Sequence, residues 1–167
     1  MIIFRDILSG DELLSDAYDV KTVDNVIYEA DCHMVTVGGD DVDIGANASA
    51  EEAGEDLEDG KETVNNVVYS FRLQQTQFDK KSFLTYLKGY MKQVKAHLAE
   101  NDPEQVEIFE KGAAAYAKKV ISSFGDWDFY TGESMDPDGM VVLLNYREDG
   151  TTPYVAIWKH GIKQEKV

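Results

Sequence analysis

One stretch limits what this chain can become. Between Asp79 and Gly125 the apolar residues recur every three or four positions, and nowhere else does the sequence read as long helix. From Lys80 to Asn101, Phe83, Leu87, Tyr90, Met91, Val94 and Leu98 form one apolar stripe, with Asp79 placed to cap it. A second helix opens at Asp102-Pro103-Glu104-Gln105: a capping aspartate, a proline at the first helical position and a glutamine three residues after the cap. Val106, Phe109, Ala113, Tyr116, Ala117, Val120, Ile121 and Phe124 continue that stripe, and Gly125 suits a left-handed C-terminal position. The link Glu100-Asn101-Asp102 is short, so the two helices should lie antiparallel.

The remainder reads as short strands and turns. Met1 to Asp6 begins as a strand, and Ser9-Gly10-Asp11-Glu12 is a turn. Leu13-Leu14 and Tyr18 to Val23 are short strands, with Asp24-Asn25 as a turn. Val26 to Val37 alternates over a longer strand, with Cys32 and His33 inside it. Val64 to Phe78 alternates again, placing Val67, Tyr69, Phe71 and Leu73 on one side. Trp127 to Thr131, Met140 to Tyr146 and Pro153 to Lys159 follow in quick succession, separated by Gly132 with Asp138-Gly139 and by Glu148-Asp149-Gly150. Ile162 to Val167 can add an edge. Strands, a helix pair, then strands predicts an α+β domain with a mostly antiparallel sheet. Its parts are a β core (1–39, 63–78, 126–167), an acidic loop expected to be mobile (40–62) and an α-hairpin insertion (79–125).

Charge is unevenly distributed. From Asp79 to Phe124 eight lysines stand against six acids, while the rest of the chain carries eight basic and 26 acidic residues. A body this acidic repels phosphate, which excludes nucleic acid as a partner. It permits cationic protein surfaces and divalent metals. No apolar run approaches the ~18 residues of a membrane span. The start, Met-Ile-Ile-Phe-Arg-Asp, lacks a signal-peptide layout, and the single Cys32 has no internal disulfide partner. These features point to a reduced intracellular setting.

No catalytic constellation emerges. His33, His97 and His160 stand in no triad or metal spacing; His97 reads as part of a polar helix face, His33 and His160 as surface strand residues. Cys32 alternates into a strand and should be buried and inert. Gly132-Glu133-Ser134 is not a nucleophile elbow, and no phosphate-binding glycine loop is present. Between Asp40 and Glu62 ten acids accompany one lysine. That density attracts calcium, but the positions of an EF-hand loop are not met, so binding there should be weak. Lys81, Lys88, Lys92 and Lys95 form a stripe on the first helix. It serves either as an ordinary solvated face or as a basic strip for an acidic partner. No metal ligands or cofactor site are assigned.

Two stretches carry more. Ile44-Gly45-Ala46-Asn47-Ala48-Ser49-Ala50-Glu51 sets capping-type residues beside an apolar anchor, and Phe129-Tyr130-Thr131-Gly132-Glu133 ends a strand on a turn acid. Both resemble signatures of the translationally controlled tumour protein family, also called fortilin or histamine-releasing factor. Met1-Ile2-Ile3-Phe4-Arg5-Asp6, Met135-Asp136-Pro137-Asp138-Gly139-Met140-Val141 and Tyr146-Arg147-Glu148-Asp149-Gly150-Thr151-Thr152-Pro153-Tyr154 are also similar, so the resemblance spans the chain.

The resemblance implies a β-tent (Mss4-like) with a projecting helical hairpin and a mobile acidic loop. It implies a monomeric, cytoplasmic, non-enzymatic protein with cytoskeletal association. The partners it implies are small GTPases of the Rheb or Rab type, elongation factor 1A and its exchange subunit, tubulin and microtubules, and weakly held calcium. Position by position it makes Glu12, Asn47, Ser49, Glu51, Leu73 and Glu133 a partner-binding face, and it assigns tubulin and calcium contacts to the helical region, where Lys81, Lys88, Lys92 and Lys95 lie. Val42 and Asp43 depart from the serine and leucine of animal members, so a phosphorylation site there is not carried over. Val167 stands where a cysteine would be needed for a disulfide-linked dimer.

Overall fold

A computed structural model describes residues 1–38 and 61–166. Three antiparallel sheets and a helical hairpin surround one apolar core. In the first sheet β1 (Ile2–Asp6) lies between β2 (Glu12–Ser15) and the late strand β11 (Ile162–Lys166). The second has six strands: β3 (Val20–Val23), β4 (Ile27–Asp31), β10 (Pro153–Trp158), β9 (Val142–Tyr146), β8 (Asp128–Thr131) and β7 (Gln74–Thr76), neighbouring in that order. The third is a ribbon of β5 (Met34–Gly38) and β6 (Lys61–Asn65). The α+β, mostly antiparallel class is as the sequence predicts.

The predicted long strand Val26 to Val37 is two strands in two sheets. It breaks at Cys32-His33, where Asn66 accepts from the His33 N–H at 2.9 Å and returns its own N–H to the His33 carbonyl at 2.9 Å. The apolar alternation of the sequence runs on to Met34 although Cys32 is buried and Met34 is exposed, so the pattern alone conceals the break. Val64 to Phe78 is not one strand either. β6 ends at Asn65, whose side-chain oxygen accepts from the N–H groups of Val67 (2.9 Å) and Val68 (3.1 Å) and opens the short helix α1 (Asn66–Ser70). A capping bond of that kind offsets the strand preference of the valines. Arg72, at φ 55°, then closes α1. Its N–H reaches the Tyr69 carbonyl and the Leu73 N–H reaches the Val68 carbonyl, a Schellman arrangement with arginine where glycine is usual.

The hairpin is α2 (Lys80–Asn101) and α3 (Gln105–Ser122). Asp79 caps α2 as expected, in a reciprocal box with Ser82. The start of α3 differs from expectation. Asp102 to Glu104 is a turn, and the Asp102 side chain does not cap the helix. Gln105 instead turns to the core, its Oε1 2.8 Å from His160 Nε2. Gly125 lies in a 3-10 turn (Phe124–Asp126) with no left-handed backbone, because Ser123 has already ended α3.

Phe83, Leu87, Tyr90, Val94 and Leu98 of α2, with Phe109, Ala113, Tyr116 and Val120 of α3, are buried in the same core as the sheets. Close approach is built in at Gly112, where a Cβ would sit 2.6 Å from the Asp24 carbonyl oxygen and 2.5 Å from a Val26 methyl. His160, expected on the surface, is buried against the Phe109 ring. Burial and the neighbouring Lys159 hold its pKa down, with Asp102 opposing them. Cys32 is buried as expected, and burial pushes its thiol up to about 11, so it is an unreactive thiol.

Candidate interaction surface

A joint between distant turns ties together the segments that carry the two predicted turn acids. Glu12 begins β2 and lies opposite Arg5 in the β1–β2 register. The Arg5 guanidinium donates to Glu12 at 3.2 Å and to the Gly10 carbonyl at 3.0 Å, and it also pairs with Glu165 across the sheet. Gly10, at φ 81°, makes the tight turn that precedes Glu12. Glu133 follows β8 and pairs with the Arg72 guanidinium at 3.2 Å.

Asp11 joins the two turns. Its Oδ2 accepts from the Ser134 N–H at 3.1 Å and from the Ser134 hydroxyl at 2.7 Å. Gly132 is needed beneath it, since a Cβ there would lie 2.4 Å from that oxygen. Deeper in, the buried Asp6 carboxylate accepts from the Leu8 N–H (3.0 Å), the Ser9 hydroxyl (2.7 Å) and the Met140 N–H (2.7 Å). The turn after β1 is therefore tied twice to the segment between β8 and β9. Two non-glycine residues hold left-handed backbone beside it, Arg72 (φ 55°) and Met135 (φ 58°). A groove of about 620 Å³ opens between the ribbon and Glu133, lined by Glu62, Val64, Tyr69, Arg72, Leu73 and Glu133 among others.

Leu73 stands apart from the acids. Only 5% exposed, it is a core residue that anchors the end of α1 and offers the groove little more than its edge. Asn47, Ser49 and Glu51 lie outside the described residues, as does most of the predicted acidic loop. Sequence reasoning missed Arg5, Asp11, Arg72 and Ser134. Opposed charge on paired strands signals the first, but nothing local announces that residues 11 and 134 meet.

The lysine stripe forms a second surface. Lys81, Lys88 and Lys92 are exposed. Of the four, Lys95 alone makes an ion pair among the described residues, to Glu110 of α3 at 3.0 Å. The stripe flanks a trough of about 510 Å³ between the helices, floored by Leu84, Met91, Phe109, Ala113 and Ala117. The described residues contain no group of three or more His, Cys, Asp or Glu that could hold a metal ion, and no helix among them is long and apolar enough to cross a membrane.

A further cluster carries charge into the core. Glu29 of β4 is buried; its two oxygens accept from Tyr116 of α3 (2.8 Å) and from Arg147 (2.7 Å). Burial and the Glu29 carboxylate push the Tyr116 hydroxyl far above its ordinary value, so it remains a donor. This cluster joins β4, α3 and the turn after β9, and a groove of about 530 Å³ beside it is lined by Lys119, Tyr146, Arg147, Glu148, Asp149 and Tyr154.

The family model for translationally controlled tumour protein matches residues 1–163. A translationally-controlled tumor protein homolog of Debaryomyces hansenii is 80% identical over 167 residues, covering all of both chains. The homolog of Saccharomyces cerevisiae is 74% identical with the same coverage. Among solved structures, the translationally controlled tumor-associated protein p23fyp of Schizosaccharomyces pombe is 62% identical, with full coverage of both chains and a TM-score of 0.84. The Caenorhabditis elegans protein is 31% identical over 100% of this chain and 99% of that one, with a TM-score of 0.73. Model, relatives and folds agree along the whole length: the chain belongs to the translationally controlled tumour protein family.

Proposed function

We propose that this chain is a cytoplasmic interaction protein that engages a small GTPase of the Rheb or Rab type, or elongation factor 1A and its exchange subunit, through the face carrying Glu12 and Glu133. Membership of the family supports a general, non-enzymatic role associated with growth and translation. The observation that most supports the finer reading is the Asp11–Ser134 joint, which ties the turn leading into Glu12 to the turn that carries Glu133. Both carboxylates pair with guanidinium groups of the chain itself at 3.2 Å but are exposed enough to exchange them for basic groups of a partner in charge-assisted hydrogen bonds. Asn47, Ser49 and Glu51 would extend it. The protein works as a monomer, as regulator or as chaperone of the nucleotide-free partner.

Glu12→Val is expected to weaken capture of a nucleotide-free GTPase about tenfold, roughly 1.4 kcal/mol. The fold should survive, because exposed pairs such as Arg5–Glu12 contribute about 1 kcal/mol at most. Unchanged affinity in a quantitative pull-down, with an unchanged circular dichroism spectrum, removes Glu12 from the interface.

A second reading rests on the lysines. Lys81, Lys88 and Lys92 are exposed basic groups on an otherwise acidic protein, which suits the acidic surface of tubulin and a cytoskeletal association. Lys88→Glu with Lys92→Glu should abolish co-sedimentation with microtubules, and raising salt should mimic the change. Sedimentation indifferent to both excludes this route. In this second reading weak calcium binding, like tubulin binding, would act mainly through the helical hairpin.

A further inference from the structure

We propose that Ser134 is a phosphorylation site, and that phosphate on its Oγ opens the joint between the turns bearing Glu12 and Glu133. The inference rests on the reading of that face as an interaction surface and supplies its regulation.

Ser134 differs from most of the described serines; Ser70 is also exposed, but its hydroxyl accepts from Tyr18 at 3.3 Å and joins no two turns. Ser9 is half-buried and bonded to the buried Asp6, and Ser15 is itself buried. Ser82 completes the cap of α2. Ser122 and Ser123 donate to the Lys119 carbonyl at the end of α3. Ser134 is exposed in a turn, and its hydroxyl bonds only to another side chain. Between Val120 and Tyr146 the chain has five acids and no Lys, Arg or His. Three of those acids, Glu133, Asp136 and Asp138, fall within four residues of Ser134. A kinase with a basic substrate groove fits that context, and one that requires basic residues does not. The next residue, Met135, already sits in left-handed backbone, so extending the turn into a kinase groove relieves a strain of order 1 kcal/mol.

In the reaction Ser134 Oγ attacks the γ-phosphorus of a nucleoside triphosphate held by the kinase. The bond from that phosphorus to the bridging oxygen breaks, the nucleoside diphosphate leaves, and the hydroxyl proton passes to the kinase's base. The product has lost one of the two donors that held Asp11. In its place stands a group of charge about −1.5 to −2 facing the Asp11 carboxylate, with Glu12 and Glu133 next to the two joined residues. Like charges replace a 2.7 Å hydrogen bond, and the two turns separate. The nearest basic residue described on this turn, Arg72, is already paired with Glu133 at 3.2 Å.

The test uses the full chain, ATP and an acid-directed serine kinase, followed by peptide mapping and amide hydrogen exchange. The expected result is phosphate on Ser134, lost in Ser134→Ala. Exchange at the Ser134 amide, now bonded to Asp11, should rise at least tenfold on phosphorylation and only a few-fold in Ser134→Ala, which keeps that N–H bond. Absence of phosphate from Ser134, whether or not other residues are modified, overturns the proposal. So does a phosphorylated Ser134 whose amide exchanges at the original rate. Neither readout involves a GTPase, so failure here is distinguishable from failure of the proposed interaction. Loss of GTPase capture on phosphorylation would then join the two.

Discussion

Phe83→Ala is expected to destabilise the protein by about 4 kcal/mol, the range for removing a large ring from a packed core. Phe83 is 1% exposed, and its ring lies 5.0 Å from Phe129, 5.6 Å from Phe78, 5.8 Å from Phe124 and 6.3 Å from Tyr86 between centroids. These rings come from α2, the segment before it, the turn after α3, and β8 of the six-stranded sheet. Small residues are not at hand to collapse into the space, so most of the cavity should persist. The more telling readout is cooperativity. Trp127 and Trp158 are buried where the sheet meets α3, each edge-on to Tyr116, so their fluorescence reports the sheet–helix boundary. Far-ultraviolet circular dichroism reports mainly the helices. If the hairpin shares the core, both signals move together to lower denaturant in Phe83→Ala. A helical transition that shifts while the tryptophan transition stays would make the hairpin a separately folding unit.

The hairpin was legible because a 3.6-residue period is hard to mimic. The buried residues of α2 and α3 are those of the predicted stripes, with Met91 and Ala117 at the margin facing the trough. What failed was local. Alternation in Val64 to Phe78 predicted a strand, but Asn65 caps a helix turn in its middle, and the cap outweighs the β preference of two valines. Apolar alternation in Val26 to Val37 continued through a change of sheet, although Cys32 is buried and Met34 is exposed, so the period of two gave no sign of it. Gln105 and His160 were misread for a related reason. A capping residue and a surface histidine are local assignments, whereas their actual bond spans 55 residues of sequence. The candidate surface divides similarly. Glu12 and Glu133 could be singled out from turn chemistry and family signatures. Arg72 and Asp11, which set their geometry, act through a left-handed residue and a contact spanning 123 positions, neither of which has a sequence pattern.

Arg147→Ala is expected to cost about 3 kcal/mol, because it leaves a carboxylate stranded in the core. The guanidinium donates to Glu29 at 2.7 Å and to Asp31 at 2.8 Å, and it lies 3.8 Å from the centre of the Tyr154 ring. The Glu29 side chain is 5% exposed, so water cannot replace the lost donor; Asp31, at 47%, can be resolvated. Arg147→Lys should recover only part of the loss, since a single ammonium cannot bridge two carboxylates and also stack flat on a ring. Removing Glu29 and both of its donors at once discriminates further. With Glu29→Met, Arg147→Met and Tyr116→Phe combined, no buried charge or hydroxyl is left unpaired, and the loss should be smaller than for Arg147→Ala alone. That ordering follows if the cost arises from desolvating Glu29 rather than from the ion pair's own strength. A triple variant less stable than Arg147→Ala would mean that the cluster contributes net stability across β4, α3 and the β9–β10 turn. Denaturant midpoints at constant slope, measured at neutral pH for the three proteins, decide between the two accounts.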